Sequence, residues 1–182
     1  MNKACFLDRD GVVNEEVNYL SDPDKVVILP GIAEALKLLK AHGFITVVVT
    51  NQAGVARGYY KEQDIIEVNR RISELLAAEK ATIDDFFYCP HHEDYTGTCQ
   101  CRKPNPGMLL NAINKYNISP ENSFMVGDRI SDIEAGHNAG CAKNYLVKTG
   151  YGQQTLDTTA LPEYVTVANN LLDAVKDFIN QM

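Results

Sequence analysis

The sequence lacks any apolar run approaching the ~20 residues that a membrane-spanning helix requires, and it contains no internal repeat or low-complexity segment. Its start, Met1-Asn2-Lys3-Ala4-Cys5-Phe6-Leu7-Asp8, reaches an acid too early for a secretion signal. A cytoplasmic protein without a membrane partner is therefore expected. Basic residues are scarce: 17 Lys and Arg against 24 Asp and Glu leave a net charge of −7, which opposes nonspecific attraction to nucleic acid or anionic lipid. A small phosphorylated substrate must then be met by local positive charge or by a metal. Cysteine is sparse and odd in number, with five residues, and reads as metal binding and not as a disulfide framework. Three of the five (Cys89, Cys99 and Cys101) crowd one segment, whereas Cys5 and Cys141 lie in apolar stretches and read as buried small hydrophobes.

What is present reads as one ordinary globular domain, residues 1–182, with 45% hydrophobic and 23% charged residues. Short apolar runs suited to buried strands occur at Ala4–Leu7, Phe44–Val49, Phe86–Tyr88, Ser123–Val126 and Asn144–Val147. Helical spacing separates most of them, at Gly31–Ala41, about Lys61–Lys80, Pro106–Tyr116, Ser131–Ala139 and Ala168–Asn180. This β-α alternation predicts an α/β fold, a three-layer, doubly wound parallel sheet, whose ligands gather beyond the carboxyl ends of the strands. The segment from about Val12 to Pro30 is too long for a routine connection and reads as a flap over that end.

Phe6-Leu7-Asp8-Arg9-Asp10-Gly11 sets two carboxylates two residues apart where the first strand ends, with a glycine that permits an abrupt turn. An isolated Asp-x-Asp is a common turn start. Here Asp128 follows another strand, Thr50 and Asn51 follow the second, and Cys101-Arg102-Lys103-Pro104 puts cations ahead of a helix. Gathered anions call for a divalent cation, and an all-oxygen setting suits magnesium. A carboxylate nucleophile, a hydroxyl, a lysine and a metal acid are the parts that phosphoryl transfer needs.

Cys89-Pro90-His91 and Cys99-Gln100-Cys101 form two close pairs of ligands suited to tetrahedral zinc, with His92 as an alternative to His91. Four protein ligands leave no open position, so the zinc is expected to be structural. Closing the loop of about 89–103 around it should fix the approach of Arg102 and Lys103.

Asp8-Arg9-Asp10-Gly11, Thr50-Asn51, Lys103 and Gly127-Asp128-x-x-x-Asp132 resemble the four ordered motifs of the haloacid dehalogenase (HAD) superfamily, across nearly the whole chain. The resemblance implies a HAD phosphatase in which Asp8 is the nucleophile and Asp10 the acid and base. Thr50 and Lys103 steady the phosphoryl group. Magnesium is held by Asp8, the backbone carbonyl of Asp10, and Asp128; Asp132 orients Lys103 or a metal-bound water. The run from Cys89 to Met108 narrows the likeness to a zinc-loop family without a large cap domain, the heptose 1,7-bisphosphate and histidinol-phosphate phosphatases, and favours Cys89, His91, Cys99 and Cys101 as zinc ligands. Asn51-Gln52-Ala53-Gly54-Val55-Ala56-Arg57-Gly58 and Lys148-Thr149-Gly150 are similar to the heptose branch. That branch implies removal of the C7 phosphate in nucleotide-activated heptose, lipopolysaccharide-core or related glycan synthesis. Its sugar contacts fall on Glu16, Val17, Asn18, Tyr19, Asn51, Gln52, Ala53 and Arg102, and a monomer is expected. Val12 and Arg129 depart from the family's threonine and lysine without removing a catalytic group.

Arg57 reads equally as a surface cation or a binding residue, and His42 and His137 read as helix-end or surface residues. A second class of function, a phospho-acceptor receiver module, is disfavoured because receivers carry their aspartate on the third strand and lack a zinc loop.

Overall fold

The computed structural model describes residues 1–182 and builds one six-stranded, all-parallel sheet. In chain order the elements are β1 (Lys3–Leu7), α1 (Ile32–Ala41), β2 (Phe44–Asn51), α2 (Glu62–Ala78), β3 (Asp85–Cys89), α3 (Glu93–Thr96), α4 (Gly107–Tyr116), β4 (Phe124–Gly127), α5 (Ile130–Asn138), β5 (Lys143–Val147), α6 (Gly152–Thr158), β6 (Val165–Ala168) and α7 (Leu171–Asn180). Spatial order is β3-β2-β1-β4-β5-β6. The chain winds outward from β1 to β3, then returns to pair β4 on the other side of β1. The crevice of a doubly wound sheet opens at such a reversal.

Strands buried on both faces show why the apolar runs are continuous. Along β1, Cys5 and Leu7 face a core shared with α1, α2 and α7, while Ala4 and Phe6 face a second core shared with α4 and α5. The two helix layers and the sheet make the expected three layers.

The ends of the elements differ from expectation in instructive ways. Thr50, Asn51 and Cys89 belong to strands β2 and β3 and do not follow them. The C-terminal helix begins at Leu171, capped by the side chain of Asn170, which accepts from the Asp173 N–H. Ala168 ends an edge strand, β6, that has no apolar run to announce it. The flap is rooted in the core by Val12, Val13, Leu20 and Val26, and Asn14 bridges to both Asp10 and Ile28. Cys5 and Cys141 are buried, as their surroundings predict. His42 is the C-cap of α1, and His137, in the last turn of α5, stacks on Tyr164 at 3.8 Å.

Candidate active site

At the carboxyl ends of β1, β2 and β4 lies a cavity of about 370 Å³ lined by Asp8, Asp10, Thr50, Lys103 and Asp132, among others. β1 and β4 are neighbours, and the Asp8 N–H donates to Val126 C=O at 2.9 Å, which holds the Asp8 backbone against β4. Room for the acidic group comes from glycine. Gly11 has φ +86°, and a Cβ there would stand 2.3 Å from Asp128 Oδ2. At Gly127 a Cβ would collide with the Asp132 side chain at 2.1 Å.

Lys103 is the hub of the charges. Its Nζ lies 2.8 Å from Asp8 Oδ1 and 2.7 Å from Asp132 Oδ1, and it donates to the Val49 carbonyl at 2.7 Å. Burial opposes its charge, but Asp132 and Asp8 more than compensate and hold its pKa above the ordinary lysine value. Asp132 Oδ2 also accepts from the N–H groups of Asp128 and Arg129, so this carboxylate orients Lys103 and the start of α5. Burial, then the nearby Asp132, push Asp8 up to about 7 despite Lys103. Burial, then Asp8, push Asp128 up to about 8.

Two carboxylates this reluctant to ionise need a cation, and one orphaned atom marks its place. Asp128 Oδ2 accepts from the Tyr151 N–H at 2.7 Å, whereas Asp128 Oδ1 is buried without any partner. Asp8, Asp128 and Asp132 each present an oxygen within 4.8 Å of the others. Lys103 and the Asp128 and Arg129 N–H groups between them take both oxygens of Asp132, so the donor set left for a hard divalent ion is Asp8 and Asp128, a fit for magnesium.

The linkage sign follows from the raised values. A carboxyl with a raised folded-state pKa stabilises fully below its unfolded value, about 3.9, and that contribution is lost as pH rises through the folded value. Magnesium-free protein should therefore melt lower at pH 8.5 than at pH 5.5, and added magnesium should raise the melting temperature mainly at the higher pH, on the order of 5 °C. Asp128→Asn should raise the magnesium-free melting temperature at pH 8.5 and erase the response to the ion. A magnesium response equal at both pH values would refute this linkage.

Asp10 has the opposite environment. Burial raises its pKa, but Arg9 and hydrogen bonds from Asn14, Arg9 and Gln52 outweigh that and hold it below the usual carboxylate value. Arg9 is wholly buried; it reaches Asp10 Oδ2 at 2.9 Å and is braced by Asn69 Oδ1 at 3.1 Å. Asn14 and Gln52 each donate to Asp10 at 2.9 Å. Neighbouring aspartates thus differ sharply in proton affinity.

The four residues expected to hold zinc converge into one cluster that could hold a metal ion. Sγ of Cys101 lies 2.9 Å from that of Cys89 and 3.3 Å from that of Cys99, and His91 Nδ1 lies 3.3 Å from Cys101. Burial raises Cys99, but the Arg102 N–H and the neighbouring thiols outweigh it and bring it down to about 7, which favours a metal-binding thiolate. His92 turns elsewhere: its Nδ1 accepts from the Asp94 N–H, and Arg57 Nη2 meets its Nε2 at 3.3 Å. Arg57, also bonded to Tyr95 Oη at 3.1 Å, therefore ties the turn after β2 to the zinc loop. Chelating the metal should lower turnover and expose three fast-reacting thiols, while Cys5 and Cys141 stay protected; thiol titration with and without chelator reads this directly. Five reactive thiols would mean global unfolding instead.

Of the expected sugar contacts, Glu16, Asn18, Tyr19, Asn51, Gln52, Ala53 and Arg102 line the cavity. Val17 does not; it is 42% exposed on the flap. Asn18 and Tyr19 have φ of 53° and 59°, and the Tyr19 ring meets Tyr59 edge-on at 4.8 Å, closing the flap onto the turn after β2. Gln52 is drawn inward, donating to Asp10 and Thr50 and accepting from Tyr60 Oη. No role for Arg9 or Tyr60 is legible in the sequence; Arg129, which stands where the family has lysine, lines the cavity and stacks over Tyr151 at 3.9 Å.

Fold and site together define a HAD-type hydrolase, and the HAD-hydrolase-like family model matches residues 100–174. The D-glycero-beta-D-manno-heptose-1,7-bisphosphate 7-phosphatase of Pasteurella multocida is 46% identical, over 82% of this chain and 84% of its own length. The D-glycero-alpha-D-manno-heptose-1,7-bisphosphate 7-phosphatase of Photorhabdus laumondii is 39% identical over 96% of this chain and 95% of its own length. The crystal structure of D,D-heptose 1,7-bisphosphate phosphatase from B. bronchiseptica, complexed with magnesium and phosphate, superposes with a TM-score of 0.90 at 34% identity, covering 99% of each chain. The chain belongs to the D-glycero-D-manno-heptose-1,7-bisphosphate 7-phosphatase family.

Proposed function

We propose that this protein hydrolyses D-glycero-D-manno-heptose 1,7-bisphosphate at C7, giving the heptose 1-phosphate and inorganic phosphate by way of a phospho-aspartate on Asp8. The observation that carries the reading is the convergence of Asp8 and Asp128, one oxygen of the latter without a partner, with the Lys103 ammonium 2.8 Å from Asp8. Magnesium, held by Asp8, the Asp10 carbonyl and Asp128, supplies the positive charge that keeps Asp8 ionised and balances the phosphoryl oxygens.

The chain's own groups do the rest. Asp8 Oδ attacks phosphorus in line as the bond to the C7 oxygen breaks, and Asp10, which the negative charge of the incoming phosphate moves toward its protonated form, gives that oxygen its proton. Lys103 and the Thr50 hydroxyl steady the charge that develops on the phosphoryl oxygens. In the second half, water attacks the phospho-aspartate and Asp10 takes its proton; the ionised form needed there is the one that Arg9, Asn14 and Gln52 favour. Asp8 is regenerated and phosphate leaves. The Arg102 guanidinium, anchored on the His91 carbonyl at 3.3 Å, lines the same cavity and suits the remote phosphate or adjacent sugar oxygens.

Phosphate release from both anomers of the bisphosphate, the two heptose monophosphates and histidinol phosphate tests the proposal. Magnesium-dependent turnover should be fastest on a heptose bisphosphate. Faster turnover of histidinol phosphate would reassign the substrate, and no magnesium-dependent release from any of them would overturn the enzymatic reading.

A further inference from the structure

Lys103 stands on an irregular segment between Cys101 and α4, with its whole residue buried. Neither its backbone N–H nor its C=O meets a backbone partner. Buried peptide groups are almost always paired, and here one side chain pairs both. The Asn51 carboxamide accepts from the Lys103 N–H at 3.0 Å and donates to the Lys103 C=O at 3.1 Å. It serves the lysine peptide as a neighbouring strand would.

Asn51 also ends β2 in register with Cys89, the first zinc-loop ligand, and the next residue's N–H donates to the Cys89 carbonyl at 2.8 Å. The excursion from Cys89 to Lys103 therefore begins and ends on one residue. At its tip, Lys103 has four flexible methylenes between backbone and ammonium, and three acceptors to divide that ammonium among: Asp8, Asp132 and the Val49 carbonyl. The fixed peptide decides how far the ammonium reaches once a phosphoryl group sits on Asp8.

We infer that Asn51 is a positioning residue whose carboxamide latches the Lys103 peptide and so places the ammonium, and that it is not a contact for the sugar. This rests on the role proposed for Lys103. A sugar contact is felt only by substrates that carry the sugar; a latch is felt by every phosphate that Lys103 meets.

Asn51→Asp keeps the size and one hydrogen bond but sets an anionic oxygen against the Lys103 carbonyl, and Asn51→Ala removes both bonds. Each should lower kcat/KM on the order of 100-fold, alike for heptose bisphosphate and for p-nitrophenyl phosphate. Vanadate inhibition of the residual activity should weaken in parallel. In a Lys103→Met background, Asn51→Asp should cost no more than about twofold further, since coupled groups are not additive. A loss confined to the heptose substrate would overturn the latch in favour of a sugar contact. Slower turnover with unchanged vanadate inhibition would show only a reduced active fraction, and full additivity with Lys103→Met would also overturn it. If Lys103→Met by itself left vanadate inhibition unchanged, the proposed role of Lys103 would fall first. Should Lys103→Met not fold, the two-substrate and vanadate comparisons still decide.

Discussion

Asp8→Asn is expected to abolish phosphate release, by at least about 10⁴-fold, because an amide cannot form the acyl phosphate and the uncatalysed reaction is among the slowest known. The substitution is nearly isosteric and removes a charge that burial and Asp132 disfavour. The variant should therefore fold, and its magnesium-free melting temperature at pH 8.5 should equal or exceed that of the unsubstituted protein. Lost turnover with a retained melting curve separates chemistry from folding. Activity within about tenfold of the unsubstituted protein would mean that Asp8 is not the nucleophile, since removal of a covalent group leaves only residual stabilisation.

Lys103→Met is expected to damage stability and rate together. It leaves Asp8 and Asp132, whose side chains are 11% and 2% exposed, without their shared cation. Stranding a buried charge costs about 3–5 kcal/mol, which for a chain of this size corresponds to a melting temperature lower by roughly 10 °C. The drop should be larger at pH 8.5 than at pH 5.5, because burial already raises Asp8 and lets it take up a proton in acid. The rate should fall about 10²- to 10³-fold through lost stabilisation of the phosphoryl oxygens. Parallel melting curves and single-turnover rates measure both effects, and an unchanged melting temperature would show that the ion network contributes nothing to the fold.

The four inner strands of the sheet were legible because strands covered on both faces must be apolar throughout, as Ala4–Leu7 and Phe44–Val49 are, and the short apolar run Phe86–Tyr88 announced the border strand β3. β6 was not, because an edge strand of four residues, none fully buried, carries no such run. The same logic divides the site. Asp8, Asp10 and Asp128 were legible because they sit where predicted strands end, and the cysteines because clustering is rare without cause. Arg9 was hidden: a lone arginine beside an aspartate reads as solvated, and only the fold brings Asn69 of α2 to brace it. Asn51 and Gln52 were correctly placed at the cavity, but the sequence does not encode which way a carboxamide turns, and both point inward to other protein groups. The residue spacing alone left His91 and His92 open and only the family resemblance favoured His91; in the fold the His92 ring turns to Arg57.

The central position of β1 and β4 has a consequence for how the molecule fails under heat. Amide protons of strands flanked on both sides exchange with solvent only in the rarest, most extensive openings, whereas a border strand or an exposed loop is released by small local fluctuations. Asp8 and Asp128 ride on the former; Arg102 rides on a loop hung from the border strand β3. Warming should therefore erode the wall proposed to choose among substrates before it disturbs the strand ends that carry Asp8 and Asp128, so that discrimination is lost at a lower temperature than the capacity to cleave a phosphate ester.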